Sequence, residues 1–399
     1  MVWGKLKALL GMNNTHESTP PDAAAAVPPT LPPAGKTVPD SAPEPGIVWV
    51  EADANPWGVP ILDMRSFTQS MMSTSADPRC ATNAVSYGND DGEAFAGQLP
   101  NDRESVPADL TFPIDGLLAD GVLFTPMQME HKWAIFYRDN KIICVRSWQR
   151  EVYVVAHTEQ DGKFLTVRKI DGSFGQMSDD ENLTAKTLDY LLRSHVLGQD
   201  YPVPIPAELA QNPQLAAQWC FSTFGNQAQC ATPHDFARVP PTMPLRSHSL
   251  LHIAVAKADM DKINQALGAG IPVDLLAGDG LAPLHWALVQ PDSAIMSLLL
   301  AKGASVDVQS HQGATPLMNA VQGDNLAAVL FLLEHGAEPN ARDFRGFTAL
   351  HRAAEMGKLD IARVLLERGA SPVAEAQGHT PRSLAQQREL PEMIALLAG

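Results

Sequence analysis

The sequence predicts an α+β region carrying an antiparallel β-meander, followed by an all-α repeat solenoid, behind a disordered Pro/Ala-rich N-terminal linker. Three observations support this. Glycines recur every 33 residues through the C-terminal part, as in Gly280, Gly313 and Gly346. Short runs of branched and aromatic residues crowd the interval 122–170. Residues 20–45 hold nine prolines in 26 positions and no aromatic side chain, a composition that cannot build a core.

The leader comes first. MVWGKLKALLGMN has two lysines but a very short apolar stretch and no small-residue cleavage site, so it does not read as a signal peptide. Trp3, Leu6 and Leu10 share one helical face and permit weak docking on a membrane or partner, although a frayed terminus is the expectation. The proline-rich spacer then separates this peptide from the folded part, giving a flexible unit over residues 1–45.

Residues 46–241 form the expected α+β unit. KWAIFY, KIICVRSW, VYVVAH and LTVRKI read as strands, and Asp139-Asn140 reads as a two-residue hairpin turn. Leu183–His195 and Pro213–Phe224 read as helices, the second entered through Asn212-Pro213. In QMEHKWAIFY, Trp133, Ile135 and Tyr137 point one way and Ala134 and Phe136 the other, which predicts a central strand. Glu130, His131 and Lys132 would then be its solvated polar entry.

The repeats occupy residues 246–399. The units are DGLAPLHWALVQ, QGATPLMNAVQG, RGFTALHRAAEM and QGHTPRSLAQQR, preceded by the partial SHSLLHIAVAKAD. Leu284, Leu317 and Leu350 keep the 33-residue step, as do Ala287, Ala320 and Ala353 and the Gly-Ala pairs 303–304, 336–337 and 369–370. Thr315-Pro316 and Thr380-Pro381 look like helix caps followed by proline at the first helical position. MSLLL, VLFLL and RVLLE supply a second helix per unit, and no unit can bury its apolar face alone. This pattern resembles the ankyrin repeat family, over about five units of which the first and last depart from consensus as caps.

The resemblance implies a β-turn and two antiparallel helices per unit, and protein binding through the turn tips and the concave face of the first helices. Transferred position by position, these are Asp279, Leu281, Val289 and Gln290; His311, Gln312 and Gln322; and Phe344, Arg345, Phe347, Glu355 and Met356. Phe344 and Phe347 stand out as partner anchors, since a tip needs no phenylalanine for its own packing. Contact with the middle unit of the same chain is the alternative use of this patch. His252, His285 and His351 recur at one position, too far apart to share a metal ion, and the resemblance implies a structural hydrogen-bonding role.

Composition narrows the function classes. A chain of 399 residues with 45% hydrophobic and 19% charged residues fits soluble folded domains. A net charge of −16 without a basic patch argues against nucleic acid and favours a basic or apolar partner surface. No apolar run reaches the roughly 18 residues of a membrane span. Cys80, Cys144, Cys220 and Cys230 form no CxxC pair, and Cys220, Cys230 and His234 are spaced too widely for a zinc clip. Reduced thiols in a cytoplasmic protein, with no metal and no cofactor, are the expectation. The pairing of Lys132-Trp133 with Arg146-Ser147-Trp148 is similar to small bacterial domains of unknown function, a resemblance that transfers nothing; a bacterial source is a separate expectation.

Enzyme readings of the middle unit are three. Ser73-Thr74-Ser75 and Gln128-Met129-Glu130 resemble the STS and QxE elements of ADP-ribosyltransferases, with Glu130 catalytic, but the required upstream arginine has only Arg65 as a candidate. Cys80 could be a nucleophile with His131 or His157 as base. Asp90, Asp91 and Glu93 could ligate a metal. A Glu130–Arg146 pair across the hairpin is the fallback catalytic site. The main expectation is a non-catalytic recognition scaffold; a targeted enzyme or toxin-like effector is the alternative.

Overall fold

The computed structural model describes residues 46–398 apart from 69–70, 74, 76, 103, 175–180, 227–228, 233–240 and 291. The leader and linker, Thr74 and His234 therefore lie outside the described residues. Nothing among those described forms a helix long and apolar enough to cross a membrane.

Eleven strands are described: β1 Val48–Val50, β2 Ile61–Asp63, β3 Ser105–Pro113, β4 Gly121–Phe124, β5 Trp133–Arg138, β6 Lys141–Arg146, β7 Glu151–Gln160, β8 Phe164–Gly172, β9 Val203–Pro204, β10 Gln229–Ala231 and β11 His248–Ser249. Seven of them make an antiparallel sheet in the order β11-β4-β5-β6-β7-β8-β3, so the expected meander is its centre. Asp139 and Asn140 close the β5–β6 hairpin with φ of 50° and 55°, the left-handed pair that a two-residue turn requires. A second sheet runs β1-β2-β10-β9.

β5 is central, as its two apolar faces predict. Trp133, Ile135 and Tyr137 join the larger core, and Ala134 and Phe136 join a smaller one with Tyr87 and Phe95. Helices α1 (Pro78–Val85), α2 (Glu181–Leu191) and α3 (Pro213–Phe224) cover the sheet region. α2 ends in a wide π-turn over Leu192–Val196. Asn212 caps α3 by accepting from the Leu215 amide, with Pro213 at the first position.

The C-terminal part is a stack of helical pairs: α4 (Leu250–Ala256) with α5 (Met260–Gly268), α6 (Pro283–Ala287) with α7 (Ala294–Ala301), α8 (Pro316–Gln322) with α9 (Leu326–Glu334), α10 (Ala349–Glu355) with α11 (Leu359–Glu367), and α12 (Pro381–Gln387) with α13 (Pro391–Leu396). Thr315, Thr348 and Thr380 cap the first helices of their units. Ala282 has no capping oxygen, and its amide donates instead to His285 Nδ1 at 3.2 Å.

The recurring histidines staple neighbouring units. His252, His285 and His351 donate from Nε2 to the carbonyls of Leu281, Ala314 and His379, at 3.1, 3.0 and 3.2 Å. All three are buried, and burial pulls His285 down to about 4 and His252 to about 3. They are neutral at physiological pH, as a donor-acceptor imidazole in this position requires.

The repeats also join the sheet. β11 pairs antiparallel with β4, matching His248 to Val122 and Ser249 to Gly121, while Ser249 caps α4. Gly121 has φ of 158°, and a Cβ there would meet the His248 carbonyl at 2.1 Å. Ser247 Oγ donates to the Ala119 carbonyl at 2.6 Å, and Arg246 pairs with Asp115 at 2.7 Å. The first unit thus covers a sheet edge that would otherwise present unpaired backbone groups. Among the described residues no repeat precedes it, and the sheet takes that place.

Candidate recognition surface

The turn tips form one continuous ridge because backbone bonds tie each tip to the next. The His311 amide donates to the Gly280 carbonyl at 2.9 Å, and the Phe344 amide to the Gln312 carbonyl at 3.1 Å. Glycine is required under each crossing: Gly280 and Gly313 both have φ of 77°, and a Cβ would strike His311 or Phe344. Behind the ridge, the exposed faces of α8 and α10 complete a cavity of about 260 Å³.

Eight of the twelve sequence-predicted residues line this cavity: Asp279, Leu281, His311, Gln312, Gln322, Arg345, Glu355 and Met356. Arg352 and Asn319, which the sequence reading passed over, line it too. Their signal was present, since Trp286, Asn319 and Arg352 occupy one repeat position and the last two are polar.

Four predicted residues sit elsewhere. Val289 packs half-buried against the helical core. Gln290 donates from Nε2 to the carbonyls of Val255 and Ala256 at 2.9 and 3.0 Å, closing the end of α4. Phe347 is 9% exposed and packs on Ala376 and Leu384, so it is no anchor; the tip does need it, to bridge the fourth and fifth units. Phe344 lies outside the cavity and is 71% exposed.

Charge is graded along the ridge. Asp279, Gln312 and Arg345 are equivalent tip positions, running acid, neutral, base. Asp279 accepts from the Leu281 amide and from Trp286 Nε1, at 3.0 and 3.1 Å. Burial raises its carboxyl above the usual range, with His248 partly offsetting this. At the other end Asp343, 5% exposed, accepts from the amides of Arg345 and Phe347 through Oδ1. Its Oδ2 meets Arg345 at 3.4 Å and Arg352 at 3.3 Å. Burial holds Arg352 below the usual guanidinium range, with Asp343 partly compensating.

The middle region corrects the fallback site. Arg146 lies opposite Trp133 in the hairpin but donates to the carbonyls of Ser222 and Thr223, both at 2.6 Å, capping the C-terminus of α3. Its guanidinium sits 5.0 Å over the Trp133 ring, and burial lowers it to about 10. Glu130 instead accepts from the Ser73 amide at 3.1 Å. Glu130 and Arg146 are thus committed to different partners.

Lys132 is the larger surprise. The sequence placed it at a wet strand entry, yet it is 3% exposed. Its Nζ donates to Ser73 Oγ at 2.5 Å and to the Met129 carbonyl at 3.0 Å, and lies 4.0 Å from the Trp148 ring centre. Burial, with Arg146 nearby, lowers the amine to about 8, and Glu130 offsets part of this. The loop carrying Ser73 folds over the strand end from 59 positions away, which no local pattern announces.

The STS and QxE elements do approach each other through the Ser73 amide and Glu130. Neither residue lies on a strand, however, and Arg65 is engaged with Asp63. His157 bonds Asp171 at 2.7 Å, and His131 accepts from the Met127 amide, so neither ring is directed at Cys80 by a hydrogen bond. Asp90 pairs with Arg150 at 2.8 Å. Among the described residues no group of three His, Cys, Asp or Glu is placed to hold a metal ion.

Comparison with known families places two matches on the C-terminal part. Residues 251–343 match ankyrin repeats (3 copies), and residues 332–385 match ankyrin repeats (many copies). The repeats read from the sequence are therefore ankyrin repeats over residues 251–385. No curated protein matches the chain.

Proposed function

We propose that this protein is a recognition scaffold that binds a partner protein through the ridge and concave face of its ankyrin repeats. Ankyrin repeats are generally protein–protein interaction modules. The observation that supports the reading is the convergence of Asp279, His311, Gln312, Gln322, Arg345, Glu355 and Met356 on one cavity behind backbone-linked tips. A surface held by inter-unit backbone bonds and histidine staples loses little entropy on association. In this reading residues 46–241 form one folded unit and residues 246–399 another, and the protein works in the cytoplasm.

The test is affinity capture from source lysate with the full chain and a Phe344→Ala/Arg345→Ala/Met356→Ala variant, with Phe347 left intact. A protein retained by the native chain and lost by the variant supports the reading. Equal retention by both sinks it.

One contact favours a second reading, a catalytic middle unit: the Ser73 amide on Glu130, with Lys132 bonded to the Ser73 hydroxyl. Glu130→Ala separates the two. An activity lost while folding and capture persist would support catalysis, and unchanged activity would remove it.

A further inference from the structure

We infer that the fourth-unit end of the concave cavity is a carboxylate clamp, so that the partner segment it takes is a peptide presenting an Asp or Glu side chain to Arg345 and Arg352. The inference rests on the recognition reading and specifies the chemistry of that same surface.

Arg345 and Arg352 share one carboxylate oxygen, Asp343 Oδ2, at 3.4 and 3.3 Å. Asp343 Oδ1 is already spent on two backbone amides. The other acid of the cavity wall at this end, Glu355, is bonded to Arg388 at 2.6 Å. Two guanidinium groups are therefore balanced by one buried acid, leaving a surplus positive charge on a chain whose net charge is −16.

Donor counting agrees. Arg352 gives Nη1 to Gln322 Oε1 at 3.1 Å and Nη2 to Asp343, but its buried Nε has no acceptor among the described residues. The unmet donor makes this desolvated cation costly, and an anion at the cavity-facing edge of the guanidinium offsets that cost through its charge, not through a bond to Nε. Burial also holds this guanidinium short of its usual proton affinity.

Geometry makes the site ready. Arg345 is 63% exposed, yet it lies 5.0 Å over the Phe347 ring and is tethered to Asp343, so its free edge stays at the cavity mouth. Met356 in the lining and Phe344, the chain neighbour of Arg345, are 43% and 71% exposed and supply apolar surface for the residues flanking the acid. Asp279 is the acid facing from the opposite end, two repeat steps away. At about 8–10 Å per packed helix that is roughly 16–20 Å. At that distance salt screens its charge, so Asp279 leaves the carboxylate at the fourth unit undisturbed.

The experiment selects random twelve-residue peptides on the full chain and resynthesises the enriched ones with both termini capped. Binding is then measured for each peptide and its Glu→Gln or Asp→Asn version on the native chain and on Arg345→Gln, whose folding is checked by thermal melting. The expected result is enrichment of acidic residues beside apolar ones. Amidation should weaken binding about tenfold or more on the native chain and less than about twofold on Arg345→Gln.

Equal losses on both proteins, or binders without acids, overturn the clamp. If such binders still weaken with Gln322→Ala or Met356→Ala, the recognition reading survives that failure. Binders indifferent to all three substitutions, or a selection that yields none, overturn both.

Discussion

Replacing Lys132 with methionine should change how the stability of the sheet region depends on pH. The amine is lowered from 10.5 to about 8, chiefly by burial, so the folded state disfavours its charge. The unfolded chain therefore binds more protons than the folded one between about pH 8 and 10.5, and stability rises with pH across that window. At about 1.4 kcal/mol per pH unit the full effect is roughly 3 kcal/mol. Deprotonation leaves two N–H donors on the nitrogen, enough to keep the bonds to Ser73 and Met129. The charge is lost while the contacts persist. Urea unfolding of the native chain and of Lys132→Met, followed by tryptophan fluorescence between pH 7.5 and 10.5, reads the difference. The native chain should gain about 3 kcal/mol relative to the variant over this range. A constant offset would refute the argument, as would a Lys132 titration near pH 10.5 followed by carbon NMR of the ε position.

Three further outcomes are expected. Phe347→Ala should cost about 3 kcal/mol and loosen the last two units, whereas Phe344→Ala should stay within about 0.5 kcal/mol; paired thermal melts decide. Because His285 is held down to about 4, the repeats should lose stability as pH falls from 6.5 toward 4, by up to about 3 kcal/mol from this residue. Denaturant titrations of His285→Gln should show a flatter acid limb. Gly121→Ala should open the β4–β11 pairing by steric conflict with the His248 carbonyl, and faster exchange of the Leu250 amide, bonded to Asp120 O at 3.0 Å, would register it.

The repeat register, the helix caps and the two-faced β5 strand were legible in the chain, because each depends on neighbours a few positions away. A 33-residue step aligns equivalent positions whatever lies beyond, and a left-handed Asp139-Asn140 turn follows from the residues between two strands. The sequence also singled out most of the cavity lining, since tip positions are local too. Contacts across large separations were decided only on folding. Lys132 became buried because the loop at Ser73 and the rings of Trp148 and Phe221 close over it. Arg146 was drawn to the end of α3 and away from Glu130. Phe347 turned inward because Ala376 and Leu384 of the next unit leave it a place, while Phe344, three positions earlier, faces solvent. Sequence alone determined which residues could reach the working surface; packing between units decided which of them are free to use it.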